Sequence, residues 1–117
     1  MPLLKTILNK IKNMEIERIE NENGTAIKFG DGTMICYGRA LNNSNGLVAA
    51  HYPADFIEPP TSQQATIVYN SYTSSNPVYV IIQAGIGLTN IYCRKMDGTP
   101  ETNTSIRTNW LVIGRWK

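Results

Sequence analysis

The stretch that decides the fold is the C-terminal one, Trp110-Leu111-Val112-Ile113-Gly114-Arg115-Trp116-Lys117. Successive side chains of a strand point to opposite faces, so one face would hold Trp110, Val112, Gly114 and Trp116. The other face would hold Leu111, Ile113 and Arg115. Both faces are largely apolar, which is typical of a strand covered on two sides. A small domain supplies one cover with its own core, so we expect the second cover from another copy of the chain.

The composition indicates a single domain with an uncharged polar surface. The chain has 117 residues, and 17% of them are charged, against roughly 25% in an average protein. The formal net charge of +2 is too small for a nucleic-acid-binding surface. No apolar run approaches the ~20 residues that a membrane-spanning helix needs. We therefore expect neither nucleic-acid binding nor membrane insertion.

Two cysteines, Cys36 and Cys93, lie in predicted strands. They lack CxxC spacing and have no histidine cluster beside them, so the pattern favours two buried, reduced thiols. A disulfide between them is the alternative.

Residues 1–20 carry the helical pattern of the chain. The apolar residues Leu4, Ile7, Ile11 and Met14 follow a 3-4-3 spacing, as in the seam of a coiled coil. Gly24 lies just beyond as a stop signal. A lone helix of this length is marginal in water, so it must pack on its own domain, on sister chains or on a docking partner. Lysines fill its first half and glutamates its second, against the preference of the helix dipole, which favours docking over a free parallel stalk.

Residues 21–117 predict a mainly β domain. About seven short apolar runs alternate with turn signals, which is typical of an antiparallel β-sandwich. Ile27 and Phe29 are expected to point inward, and Asp31-Gly32 and Asp97-Gly98 are expected at turns. Gly85-Ile86-Gly87 is expected to form a bend or a bulge in a strand. The fold class is therefore mainly β, an antiparallel β-sandwich with one N-terminal α-helix.

No catalytic constellation can be assembled from the sequence. His51 is the single histidine, no serine stands in a GxSxG turn, and the carboxylates are scattered without motif spacing. Metal-ligand spacing is absent as well. We therefore predict no catalytic residue, no metal site, no cofactor and no enzymatic activity.

The tyrosines beside polar loops point to a binding module, and they are Tyr69, Tyr72, Tyr79 and Tyr92. Saccharides present C–H patches and hydroxyl rims, which suit an aromatic ring flanked by amides and hydroxyls. The candidate glycan-binding residues are Tyr69, Tyr72, Asn76 and Tyr92. The alternative is that these tyrosines lie at the rim of the core with a solvated hydroxyl.

Three segments together resemble the C-terminal domains of bacteriophage tail-fibre and baseplate receptor-binding proteins. Residues 21–36 contain the Asn-x-Asn-Gly, Lys-Phe, Asp-Gly-Thr and cysteine elements of such domains. Residues 52–60 resemble their Tyr-Pro, Phe-Ile and Pro connection, and residues 110–117 are similar to their terminal strand. The likeness covers about residues 21–117.

The resemblance implies a β-sandwich related to the H-type lectin architecture, assembled as a homotrimer at a fibre tip. It also implies a virion protein, assembled in the bacterial cytoplasm and acting outside it, that attaches the particle to bacterial surface saccharide. On this reading the oligomer interface comprises Leu4, Ile7, Ile11, Met14, Trp110, Val112 and Trp116.

The first alternative is a structural virion protein that docks on other virion proteins through its helix and binds no glycan. The second is a small glycan-depolymerising enzyme.

Overall fold

The computed structural model describes residues 2–12, 14–68 and 78–117. One helix precedes eight strands in this part of the chain. The helix is α1 (Pro2–Lys12), and the first four strands are β1 (Glu15–Asn21), β2 (Gly24–Phe29), β3 (Thr33–Leu41) and β4 (Leu47–His51). The others are β5 (Ser62–Val68), β6 (Val78–Ala84), β7 (Leu88–Lys95) and β8 (Arg107–Arg115).

The strands form two antiparallel sheets. The five-stranded sheet has the order β1-β2-β3-β8-β5, and the three-stranded sheet has the order β4-β7-β6. The terminal strand β8 is central, pairing with β3 from Thr33–Arg115 to Leu41–Arg107 and with β5 on its other side. The prediction of a mainly β, antiparallel sandwich with one N-terminal helix is confirmed.

The core lies between the two sheets. The five-stranded sheet contributes the buried residues Ala26, Met34, Cys36, Trp110 and Val112, and the three-stranded sheet contributes Val48, Ala50 and Ile91. The β4–β5 connection adds Tyr52, whose ring lies 5.2 Å from that of Phe56 and 5.7 Å from that of Trp110, between centroids.

Two strand glycines allow these rings to approach the backbone. A Cβ on Gly38 would come within 2.7 Å of Trp110 Cζ2, and one on Gly114 within 2.7 Å of Phe56 Cδ1. Gly114, near the end of the terminal strand, is therefore explained by close packing against Phe56.

The helix is shorter than predicted. It ends at Lys12, and Glu15–Asn21 is a strand paired with β2, so the prediction of a helix over residues 1–20 is wrong for its second half. Gly24, taken as a helix stop, instead closes a two-residue hairpin turn with φ of +128°. Asn21 Oδ1 supports this turn by accepting the N–H of Asn23 at 2.8 Å. Backbone pairing with β2 outweighs the helical spacing of the isoleucines in this segment.

The predicted orientation of β2 is also wrong. Ala26 is fully buried, whereas Ile27 and Phe29 are half-buried on the opposite side of the strand. Ile27 pairs with Ile35, which points away from the core because its neighbours Met34 and Cys36 point into it. Gly85-Ile86-Gly87 is the connection between β6 and β7 and not a bulge within one strand.

The helix exposes the side chains that the structure describes. All side chains from Leu3 to Lys10 are exposed, with Leu4 at 53% and Ile7 at 45%. Within the described residues, no helix is long and apolar enough to cross a membrane.

Candidate functional site

The outer face of the three-stranded sheet brings six aromatic, aliphatic and polar side chains together. Strand β7 turns Thr89, Ile91 and Cys93 into the core, so the alternate residues of this strand face outward. Its pairing with β6 places Tyr79 beside Arg94, Ile81 beside Tyr92 and Gln83 beside Asn90. We call these six residues the aromatic face.

The centre of the aromatic face is ordered by contacts between its own side chains. The Tyr92 hydroxyl donates to Gln83 Oε1 at 3.4 Å, and the Arg94 guanidinium lies 5.2 Å from the centroid of the Tyr92 ring. Arg94 Nη1 also donates to the backbone carbonyls of Gly46 at 3.0 Å and Cys93 at 3.1 Å. A guanidinium held by two carbonyls and a ring loses little freedom when a ligand binds.

The chemistry of this face suits a ligand with both apolar and hydroxyl surfaces. Ile81 is 51% exposed and Tyr79 is 36% exposed, so an apolar ledge lies beside the amides of Gln83 and Asn90. Rings and aliphatic side chains pack on C–H surface, and amides and guanidinium groups bind hydroxyl oxygens. Such a surface is able to hold a saccharide.

The structure places one of the four candidate glycan-binding residues on this face. Tyr92 lies at its centre, whereas Tyr69, Tyr72 and Asn76 fall at 69–77, outside the described residues. Gln83 and Arg94 were not identified from the sequence, and Tyr79 was noted among the tyrosines beside polar loops without being chosen as a site residue. The signal that would have selected Gln83 and Arg94 is the alternation of side chains along β6 and β7, because the less exposed residues of each strand determine which ones face outward.

The outer face of the five-stranded sheet has a different character. Ile27, Ile35 and Ile113 lie side by side across β2, β3 and β8, and Tyr37 lies beside Leu111 in the next row. We call these five residues the isoleucine face. Four of its side chains are half-buried, and Tyr37 is 40% exposed.

Two predicted interface residues of the terminal strand lie in the core of their own chain. Trp110 is 3% exposed and Val112 is 1% exposed, because their side of β8 faces the three-stranded sheet. They therefore offer almost no surface to a second chain. The side of β8 that a partner can reach holds Leu111 and Ile113, so these residues replace Trp110 and Val112 as the predicted interface residues of this strand.

Trp116, the third predicted interface residue of this strand, is held by its own domain. Its Nε1–H donates to the Phe29 carbonyl at 2.8 Å, and the ring packs against the core. The Nζ atoms of Lys28 and Lys117 lie 5.3 and 5.0 Å from the ring centroid. Trp116 therefore joins the end of the chain to β2.

The predicted interface residues outside the terminal strand lie in or beside the helix. Leu4, Ile7 and Met14 are 53%, 45% and 58% exposed, so they are free to meet a partner. Ile11 belongs to the same helix. The sequence reasoning thus identified an apolar surface that the described part of the chain leaves open.

His51 lies at a small cleft between the two sheets. The cleft has a volume of about 140 Å³ and is lined in part by Glu22, Asn23, Arg39 and Trp110. Ligand pockets usually measure roughly 300–1,000 Å³, so this cleft is too small to enclose a sugar unit with its neighbours. Within the described residues, no group of three His, Cys, Asp or Glu side chains is placed to hold a metal ion.

The two cysteines are free thiols without exposed surface, as the sequence predicts. Burial raises the pKa of the Cys36 thiol to about 12 and also raises the pKa of the Cys93 thiol. Because the thiolate is the nucleophilic form, both groups are inert in the folded protein at neutral pH.

Comparison by sequence alone finds no matching protein-family model and no matching curated protein. Comparison of structures finds tail fibres of pyocins. A C-terminal fragment of the Pseudomonas aeruginosa R2 pyocin fibre superposes with a TM-score of 0.60 at 10% identity, over 86% of this chain and 26% of the fibre fragment. An N-truncated R1-type pyocin tail fibre gives a TM-score of 0.58 at 11% identity, over 94% of both chains. An N-truncated R2-type fibre gives 0.60 at 10% identity, over 87% of this chain and 39% of that one.

These superpositions establish the fold. The chain has the fold of C-terminal tail-fibre domains, which confirms the resemblance drawn from its sequence. It spans about a quarter and two fifths of the two R2 fibre fragments and nearly all of the R1-type one.

Proposed function

We propose that this chain is a non-enzymatic receptor-binding module of a phage or phage-like tail fibre. It attaches the particle to saccharide on the bacterial surface, and the aromatic face is its binding surface. The observation that carries this proposal is the arrangement of Tyr79, Ile81 and Tyr92 beside Gln83 and Arg94 on one sheet face. The tail-fibre fold supports it, because it places the chain among proteins of that architecture. The protein would be part of the virion, assembled in the host cytoplasm and acting outside the cell.

The working form of the module would be a homotrimer. The isoleucine face and the exposed helix are two apolar surfaces on one chain, and sister chains would cover both. The glutamates whose position argued against a parallel bundle lie beyond the helix, which ends at Lys12. An eleven-residue helix has little stability alone, and three parallel copies would bury Leu4 and Ile7 in a common seam. Light scattering should give the mass of three chains at micromolar concentration. A stable monomer there would contradict this part of the proposal.

Saccharide binding by the aromatic face is tested with two tyrosines of similar exposure. Tyr79→Ala removes a ring from the aromatic face, and Tyr37→Ala removes one from the isoleucine face. Tyr79→Ala should weaken binding to host cells about tenfold or more, as loss of one stacked ring usually does, and leave the mass unchanged. Tyr37→Ala should bind cells as wild type does when equal amounts of assembled protein are compared. Equal binding by Tyr79→Ala and wild type would place the receptor site elsewhere.

The alternative function is a structural virion protein that docks through α1 and binds no glycan. This alternative is supported by four exposed apolar residues of the helix, which could pack against another virion protein. They are Leu3, Leu4, Ile7 and Leu8. Deleting residues 1–12 removes the helix and leaves all eight described strands. Loss of incorporation into particles, combined with no binding of wild type to any host cell, would support this function over receptor binding. Release of reducing ends from host wall material would instead support an enzyme.

A further inference from the structure

We infer that the saccharide bound by the aromatic face carries an oxyanion, either a carboxylate or a phosphate, and that Arg94 binds it. This inference rests on the proposed function, because it specifies the ligand of the same face. Its basis is the charge of the face and the geometry of one side chain.

The aromatic face is cationic and has no acid of its own. Its six residues include one arginine and no aspartate or glutamate. Among the described residues, the ion pairs are formed by Arg18 and Lys28, and none involves Arg94. A half-buried arginine without a carboxylate partner is a ready site for an external anion.

An acid close in the fold, Glu101, forms no ion pair with Arg94. The backbone N–H of Glu101 donates to the Cys93 carbonyl at 3.0 Å, beside Arg94. The Glu101 carboxylate, however, accepts the N–H of Asn103 at 3.0 Å, within its own loop. Glu101 lies near enough for its charge to help raise the pKa of the Cys93 thiol, but among the described residues it forms no ion pair that would occupy the Arg94 donors.

The guanidinium is oriented and keeps donors for a ligand. Its two hydrogen bonds, to Gly46 and Cys93, both use Nη1, so Nε and Nη2 have no partner among the described residues. These are the atoms that form a two-pronged contact with a carboxylate or phosphate. Tyr92 on the same strand and Tyr79 on β6 flank the group, so an anionic sugar would place its ring on one tyrosine while its acid meets Arg94.

The inference is tested with three polysaccharides and three variants of the full chain. The probes are polygalacturonate, which carries carboxylates, a phosphomannan, which carries phosphates, and neutral dextran. The variants are Arg94→Gln, Arg94→Lys and, as the control, Lys5→Gln, which removes one charge from the exposed helix. Circular dichroism and light scattering are used to check that each variant is folded and assembled as wild type.

Wild type should bind at least one anionic polymer and not dextran, and the polymer that it binds identifies the acid. Arg94→Gln should weaken this binding roughly tenfold or more, and Lys5→Gln should leave it within about twofold. Arg94→Lys should fall between them, because lysine keeps the charge and loses the fork. Raising the salt concentration should weaken wild-type binding more than that of Arg94→Gln.

The inference fails if Arg94→Gln binds host cells as wild type does while Tyr79→Ala does not, since the face then binds a neutral sugar. It also fails if dextran competes as well as the anionic polymers. If neither Tyr79→Ala nor Arg94→Gln changes cell binding, the proposed site itself is wrong.

Discussion

The two outward sheet faces of this small sandwich differ in every property that matters for contact. The isoleucine face aligns three β-branched side chains in register across three strands, with Leu111 and Tyr37 beside them. The aromatic face places hydrogen-bonding groups beside its rings and includes an arginine that has no carboxylate partner among the described residues. A row of apolar side chains suits contact with a protein partner that excludes water. Aromatic rings with hydrogen-bond donors beside them suit a hydrated ligand. If the proposed function is correct, the domain divides assembly and recognition between its two sheets.

The largest expected effect tests which residues of each strand face inward. Cys36 and Cys93 lie on the core side of β3 and β7, next to Tyr37 and Tyr92, which lie on the outer side. In native buffer, both thiols should react with iodoacetamide at least about a thousandfold more slowly than in denaturant, because reaction requires unfolding.

Thiol labelling is measured by mass spectrometry over time. Rapid modification of either cysteine in the native protein would show that this cysteine faces outward, and that the residues next to it in the strand face the core. Both the aromatic and the isoleucine face would then be wrongly assigned, because a shift of one residue exchanges the two sides of a strand.

The next effect distinguishes the two faces by placing the same charge on each. Ile113→Asp puts a carboxylate in the isoleucine face, and Ile81→Asp puts one in the aromatic face. Ile113→Asp should weaken assembly by a hundredfold or more, since burying an unpaired charge costs about 3–5 kcal/mol. Ile81→Asp should leave the mass of the assembly unchanged.

Both variants are compared by light scattering over a range of concentrations, with circular dichroism to confirm that each is folded. If Ile81→Asp dissociates the assembly and Ile113→Asp does not, the roles of the two faces are exchanged.

A smaller effect concerns the inward side of the terminal strand. Trp116→Ala removes a half-buried indole and its hydrogen bond to the Phe29 carbonyl. The free energy of unfolding should fall by about 2–3 kcal/mol, below the range for a fully buried tryptophan. Trp116→Phe retains most of the ring packing and loses the hydrogen bond, so it should lose about 1 kcal/mol. Chemical denaturation measures both, and an unchanged midpoint for Trp116→Ala would show that the chain end is not joined to β2.

The sequence predicted the sandwich well because its strands are marked by turn residues that the structure uses. Gly32 and Gly98, in the two Asp-Gly turns, have positive φ angles, and Asp31 and Asp97 each accept the N–H of the residue two positions later. The prediction of a helix over residues 1–20 is wrong for its second half because this segment pairs with β2, which follows it after a two-residue turn. Helical spacing in Glu15–Glu20 was outweighed by pairing with β2, which no local pattern contains.

Less of the candidate site could be predicted from the sequence. Tyr92 was selected for its residue type, but Tyr79 and Arg94 depend on the register that the Gly85–Gly87 connection sets between β6 and β7. Likewise, the two-sided character of β8 was recognised, but which side faced the core was not. Trp110 faces inward because Gly38 opposite leaves room for its indole ring. Such pairings join positions far apart in the chain, so they appear only in the folded structure.

The smallest expected effect separates the ring of Tyr92 from its hydroxyl. The hydroxyl donates to Gln83 at 3.4 Å, which is long for an O–H···O bond, whereas the ring lies against the Arg94 guanidinium. Tyr92→Phe should therefore change binding to host cells by less than about threefold, and Tyr92→Ala should weaken it about tenfold. A cell-binding titration with Tyr37→Phe as the control on the other face measures both. A loss by Tyr92→Phe as large as that by Tyr92→Ala would mean that the hydroxyl itself contacts the receptor, which would make the polar groups, and not the rings, the main source of binding on this face.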